Sequence, residues 1–182
     1  MSVQQPTRTI SYGSDPFQSG DLYLPPGTGP FPVVVLIHGG YWTAPGDRTQ
    51  LTGLAEDLCA KGYAVWNIDY RTVGTPGAGW PGSFQDVASA LDAVADLDRA
   101  LDWRNVITVG HSAGGQLAVW AASRPDLPKQ APGFAPRVRP IAAVSIAGIL
   151  DLVAADADRS GPGGVLPDLL GGHAAEYPER YA

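Results

Sequence analysis

Asn105-Val-Ile-Thr-Val109-Gly110-His111-Ser112-Ala113-Gly114-Gly115 decides how the rest of this 182-residue chain is read. The first five residues have the apolar character of a buried strand, and the run after Gly115 reads as helix. Between them stands a serine with glycine two residues before and two residues after it. A strand, a sharp turn through serine and a helix make the pattern called a nucleophile elbow. The chemistry requires such a shape, because a serine hydroxyl is a weak nucleophile unless it is lifted clear of the backbone and presented to a base. A turn that tight leaves room for little more than hydrogen at the flanking positions. With 23 glycines in the chain, the five-residue pattern alone arises too easily by chance to stand without support.

Support comes from upstream. His38-Gly39-Gly40-Tyr41-Trp42 follows the apolar run Val33-Val-Val-Leu-Ile37. Acyl transfer passes through a tetrahedral oxyanion, stabilised by backbone N–H groups aimed at the place where its charge develops. One such donor belongs to the residue after the nucleophile, here Ala113, and its partners come from a loop after an earlier strand. Gly39 and Gly40 suit that task, since neither has a Cβ to obstruct a carbonyl oxygen. The plainer reading of Gly-Gly is a strand-end turn. Two motifs in this order, each at a strand end, favour the oxyanion reading.

The remaining chain alternates strand and helix. Residues 9–12 and 20–24 read as short antiparallel strands before the Pro-Gly loop 25–30. Residues 33–37 and 63–68 read as buried strands. Residues 47–61 form a helix on the spacing of Leu51, Leu54, Ala55 and Leu58, with Gly62 just past its end. Ser83, with Asp86 three residues on, reads as the cap of a helix whose apolar face is Val87, Ala90, Leu91, Val94 and Leu97. After the helix 113–123 comes one more strand, 141–146. Such alternation predicts one α/β domain over residues 1–182, a mostly parallel sheet with helices on both faces. Function in such sheets gathers at the carboxyl ends of strands, where His38, Asp69 and Ser112 all fall.

Composition narrows the classes. Hydrophobic residues make up 45% and charged residues 16% of the chain, as in globular proteins. A net charge of −6 without any basic run argues against nucleic acid or an anionic membrane as partner. No stretch has the ~20 apolar residues of a membrane span, and the polar start lacks the apolar core of a signal peptide. The cytoplasm is the expected compartment. The single cysteine, Cys59, falls on a helix and reads as a small buried hydrophobe. The sequence leaves the oligomeric state open.

The H-G-G-Y-W and G-H-S-A-G-G segments, with Asp69-Tyr70-Arg71 between them, resemble the α/β-hydrolase superfamily. The nearest likeness is to the branch of small carboxylesterases, feruloyl and acetyl-xylan esterase-like proteins, and kynurenine formamidases (arylformamidases), which carry H-G-G-x-W. The resemblance runs from about residue 22 onward. It implies a serine hydrolase of a small ester or N-formyl amide, with Ser112 as nucleophile and Gly39, Gly40 and Ala113 as oxyanion donors. His38 and Trp42 would support the loop, and neither metal nor cofactor is implied. Family members continue for two further strands that bring the catalytic acid and histidine. This chain is therefore expected to be truncated after the sixth strand of the fold.

Three histidines are available. His38 lies in the oxyanion loop, and His111 is expected to pack beneath the turn. His173 with Asp151 keeps the chain order of acid before histidine, although a solvated loop histidine is the plainer reading. Asp69 and Arg71 either hold substrate or pair with each other or with loop backbone. Trp42 walls a pocket or packs on its own loop, and Trp80 and Tyr70 are candidate pocket lining. Asp86 reads as structural, and the acidic stretch 151–158 as a solvated helix face. The rival to a hydrolase is a catalytically inactive fragment or small-ligand-binding module. A dinucleotide-binding fold lacks its G-x-G-x-x-G. Strand 141–146, apolar and last in order, is expected at an open sheet edge that invites association.

Overall fold

The computed structural model describes residues 5–43, 45–159 and 164–181. Six strands form one mixed sheet: β1 (Arg8–Ser11), β2 (Ser19–Tyr23), β3 (Phe31–Ile37), β4 (Ala64–Ile68), β5 (Leu101–His111) and β6 (Ala142–Ile146). Their order across the sheet is β1-β2-β4-β3-β5-β6. The β1–β2 and β2–β4 pairs are antiparallel, and β4–β3, β3–β5 and β5–β6 are parallel. Among the described residues six α-helices accompany them: α1 (Thr52–Ala60), α2 (Gly82–Leu97), α3 (Ala113–Ser123), α4 (Leu152–Ala157), α5 (Val165–Leu170) and α6 (Pro178–Tyr181).

β3 shows why the central strands read as unbroken apolar runs. Successive side chains of a strand point to opposite faces. Val33, Val35 and Ile37 join the larger core with Val87, Leu91 and Val94 of α2 and Leu117 of α3. Val34 and Leu36 join a smaller core with Ala55 and Cys59 of α1. Both faces are covered, so neither can be polar. The expected strands and helices form, most with ends displaced by a residue or two, β5 and α1 by more at their starts. β5 is longer than residues 105–109 because it resumes pairing beyond a register shift opposite Pro32 and Val33. α1 is entered through a 3-10 turn, Arg48–Leu51, capped by the Asp47 carboxylate, which accepts from the Thr49 N–H at 2.9 Å.

One correction concerns α2. It begins at Gly82 after Pro81, and no side chain caps it. Ser83 instead lies in the first turn, donating its hydroxyl to Arg71 O at 2.5 Å and accepting from Gly79 N–H at 2.9 Å. Asp86 is no capping partner either. It is buried and accepts from Arg71 Nε (2.8 Å), Arg71 Nη2 (2.6 Å), Arg71 N (3.0 Å) and Gln18 Nε2 (2.7 Å). These bonds lock the start of α2 to the chain leaving β4.

Residues beyond β6 return to the α2–α3 side of the sheet. Leu152, Val165, Leu166, Leu169, Leu170 and Tyr181 join the larger core, and Trp80 N–H donates to Leu169 O at 2.6 Å. Among the described residues, no helix is long and apolar enough to cross a membrane.

Candidate active site

The β5–α3 turn holds Ser112 at φ 52° and ψ −120°, a combination that non-glycine residues rarely adopt and that costs on the order of 1–3 kcal/mol. Its neighbours explain why the turn closes. A Cβ on Gly110 would lie 1.9 Å from Gly114 O, and one on Gly114 would lie 2.0 Å from Ile37 O. Both positions admit only hydrogen. The same contacts carry the start of α3 against the end of β3. Ser112 is half-buried, and its N–H donates to Ile146 O at 2.8 Å, tying the turn to β6 as well. Its side chain does not cap α3. The α3 ladder begins with Gly115 and Gln116 donating to Ser112 O, so the Ala113 N–H is one of the unpaired donors at the positive end of the helix.

The 38–42 loop lies against this turn. A Cβ on Gly39 would stand 2.7 Å from His111 O and 3.2 Å from Ser112 Cβ. Gly40 follows at φ 109°, a conformation that strains any side chain, and its carbonyl accepts from Thr43 N–H at 2.9 Å. The structure thus sets Gly39 against the His111–Ser112 turn, from two loops more than 70 positions apart in the chain.

Beneath them is a buried polar layer. His38 is fully buried; its Nδ1–H donates to Gly39 O at 2.8 Å. Its ring stacks on Tyr70 at 4.5 Å, and Tyr70 donates its hydroxyl to His38 O at 3.1 Å. His38 Nε2 has no hydrogen bond and faces Asp69 Oδ1 at 3.9 Å. Burial pushes the His38 pKa down, outweighing the nearby carboxylates of Asp69 and Asp47. Asp69 itself is claimed by Arg48, through the backbone N–H at 2.7 Å and a guanidinium ion pair, and Arg48 pairs with Asp21 at 2.9 Å. Trp42 is also fully buried, donating its indole N–H to Gln116 Oε1 at 3.2 Å. Nothing local in the sequence signals Arg48 or Gln116, because their partners lie 21 and 74 positions away.

Several expectations are corrected. Tyr70 does not line a pocket; it is buried under His38. Asp69 and Arg71 do not pair with each other, since Arg48 and Asp86 take them, although Asp69 does bind loop backbone, the Arg48 N–H. His111 does not pack beneath the turn but is exposed. Its ring lies beside the glycine loop, where a Cβ on Gly39 would stand 3.1 Å from His111 Nδ1. Asp151 and His173 form no pair. The Asp151 carboxylate caps α4 by accepting from Ala154 N–H at 2.9 Å, and the His173 ring meets Asp156 at 3.0 Å. Asp156 is therefore not a plain solvated helix residue; its bonds from Ala174 N–H and then His173 hold its pKa down. Among the described residues, no histidine hydrogen-bonds to Ser112 Oγ. Trp80 does line a cavity, of about 760 Å³ between α3 and α6, together with Trp120, Leu127 and Arg180.

Strand order, the serine turn between β5 and α3, and the glycine loop after β3 define an α/β-hydrolase fold. Within it, residues 20–181 match the BD-FAE family, and the chain belongs to that family. Esterase LipC of Mycobacterium tuberculosis is 36% identical over 120 residues, covering 63% of this chain and 29% of its own length. The probable carboxylic ester hydrolase LipM of the same organism is 33% identical over 162 residues, covering 78% of this chain and 34% of its own. Among solved structures, the bifunctional GH43-CE of Bacteroides eggerthii superposes with a TM-score of 0.79 at 25% identity, over 95% of this chain and 27% of that one. The chain thus spans about a third of the length of these relatives.

Proposed function

We propose that this chain carries the nucleophile and oxyanion half of a serine-dependent carboxylic ester hydrolase. Ser112 Oγ attacks the acyl carbon as its proton passes to a base. The carbonyl electrons move to an oxygen held by the N–H groups of Gly39, Gly40 and Ala113, and collapse of that intermediate expels the alcohol. Water then attacks the acyl-serine and releases the acid, restoring the hydroxyl. The observation that carries this reading is the contact between Gly39 and the strained Ser112 turn. An ester substrate is favoured over an N-formyl amide because similar proteins are described as esterases or ester hydrolases. Arylformamide hydrolysis is the narrower reading, resting on the H-G-G-x-W pattern.

A second reading has its own observation. No described histidine bonds to Ser112, and a hydroxyl without a base keeps its proton at neutral pH. The 182-residue chain would then bind small acyl ligands without turning them over. Hydrolysis of p-nitrophenyl acetate and of an N-formyl anilide by the folded chain decides between the two. Ester turnover that disappears in Ser112→Ala supports the hydrolase. Faster cleavage of the anilide than of the ester moves the assignment to formamides. A folded chain that cleaves neither supports the binding module.

A further inference from the structure

We propose that Gln116 is a positioning residue for the ester hydrolysis read above: its side-chain amide ties the glycine loop to the nucleophile helix through the Trp42 indole. This role rests on that reading, in which the oxyanion donors stand on two separate pieces of chain, Gly39 and Gly40 after β3 and Ala113 at the start of α3. Packing of Gly39 on the His111–Ser112 turn resists their approach but not their separation. Among the described residues, one hydrogen bond joins residues 39–43 to residues 112–123, from Trp42 Nε1–H to Gln116 Oε1 at 3.2 Å. That bond is what opposes opening of the gap.

Both ends of the bond are fixed. Thr43 closes the 40–43 turn, its N–H and its hydroxyl both donating to Gly40 O, at 2.9 and 3.0 Å. Within the turn Tyr41 and Trp42 adopt φ 53° and 58°, the left-handed region that bulky residues enter only where their surroundings dictate it. Tyr41 is thereby left exposed, whereas Trp42 is fully buried. A buried indole N–H needs an acceptor, and Gln116 supplies it from the first turn of α3. Gln116 is itself only 7% exposed, and its backbone N–H donates to Ser112 O at 3.3 Å. A helical side chain leans back over the turn before it, which carries the amide towards Ser112 and the loop. Because an indole N–H can only donate, the amide oxygen must be the atom that faces it. The Gln116 amide NH2 makes no hydrogen bond among the described residues, so Trp42 is the one polar partner that orients it.

The rate of Ser112 labelling by a fluorophosphonate, read by intact mass on the folded chain, tests this role. Gln116→Met removes the acceptor at similar length, and Trp42→Phe removes the donor but keeps a ring in the core. Each should slow labelling about tenfold, the worth of one hydrogen bond, with unchanged circular dichroism. The double variant should be no slower than either single one, because both remove the same bond. Gln116→Glu keeps an oxygen whether ionised or protonated, and should label within about twofold of the unaltered chain. Single variants that label at the unaltered rate overturn the proposal. So do losses that multiply in the double variant, or a Gln116→Glu as slow as Gln116→Met. Should Trp42→Phe fail to fold, the indole N–H signals of the five tryptophans decide. In Gln116→Met one of them should shift and exchange faster with solvent, and five unmoved signals overturn the proposal. An unaltered chain that takes no label removes the serine reading, and this role with it, while the indole signals still report separately on the bond.

Discussion

Gly39→Ala tests the contact on which the functional reading rests. The new Cβ would lie 2.7 Å from His111 O and 3.2 Å from Ser112 Cβ. Neither neighbour can swing away, because one is backbone and the other is the root of a side chain on a strained turn. Ordinary contacts begin near 3.4 Å, so the loop and the turn must part by about 0.7 Å at His111 O. Overpacking of this kind costs about 1–3 kcal/mol, and in a chain of this size each kcal/mol lowers the melting temperature by roughly 2–4 °C. A drop of about 3–10 °C in a thermal melt is expected. In the proposed mechanism the same displacement moves the Gly39 and Gly40 N–H groups away from the acyl oxygen. Misplacement of reacting groups by about 1 Å can cost 10²-fold in rate, so labelling of Ser112 by a fluorophosphonate should slow by one to two orders of magnitude. Unchanged melting and unchanged labelling together would refute the stated proximity. A lower melting temperature with unchanged labelling would leave the packing correct and remove the glycine loop from the chemistry.

Gly53→Ala is the matching control. Gly53 lies inside α1 with nothing within 4 Å of its added Cβ, so the substitution should stabilise by about 0.4–1 kcal/mol and raise the melting temperature. Asp86→Ala strands the Arg71 guanidinium, the Arg71 N–H and the Gln18 amide. It should destabilise by about 3–5 kcal/mol in denaturant melts, the range for breaking one side of a buried pair, reduced in so far as Arg71 reaches solvent. His38 supplies a pH dependence. Its folded pKa lies below the unfolded value, so the unfolded chain binds more protons between the two, and stability rises with pH across that window. The contribution is complete above about pH 6.5 and is lost as pH falls towards the folded pKa. His38→Asn should flatten that part of a melting-temperature profile, and an unchanged slope would assign it to other groups.

What the sequence makes legible here is what repeats or punctuates. Val33-Val-Val-Leu-Ile37 has no alternation because both faces are covered, and that signal is local. The glycines around Ser112 are local too, since each marks a backbone approach within a few residues or to an adjoining strand. Partnerships across the fold leave no such trace. Ser83 and Asp86 have the spacing of a cap, but the helix starts after Pro81, two positions too early for that geometry, and frees both side chains for Arg71. Asp151 and His173 stand in the right order for an acid and a base. Order carries no distance, however, and the Asp151 carboxylate is occupied at the N-terminus of α4 while Asp156, further along that helix, meets the imidazole.

The buried layer under the glycine loop shows what such unseen partnerships achieve. His38 points its proton at Gly39 O, which fixes the peptide leading into Gly40. That choice of tautomer leaves Nε2 as an unpaired acceptor in the core, at a cost of about 1–3 kcal/mol. Protonation would give Nε2 a hydrogen to offer Asp69, only 3.9 Å away, but burial opposes the charge and Arg48 already occupies that carboxylate. Arg48 in turn reaches Asp21 on β2. A chain of charges thus runs from the antiparallel edge of the sheet, through the entry to α1, to the histidine that holds the loop. Burial and the Arg48 charge keep His38 neutral against the pull of Asp69, with its Nδ1–H on Gly39. The uncompensated nitrogen is what remains when the fold sets the carbonyl of Gly39, and hence the direction of the next N–H, ahead of full hydrogen bonding in its core.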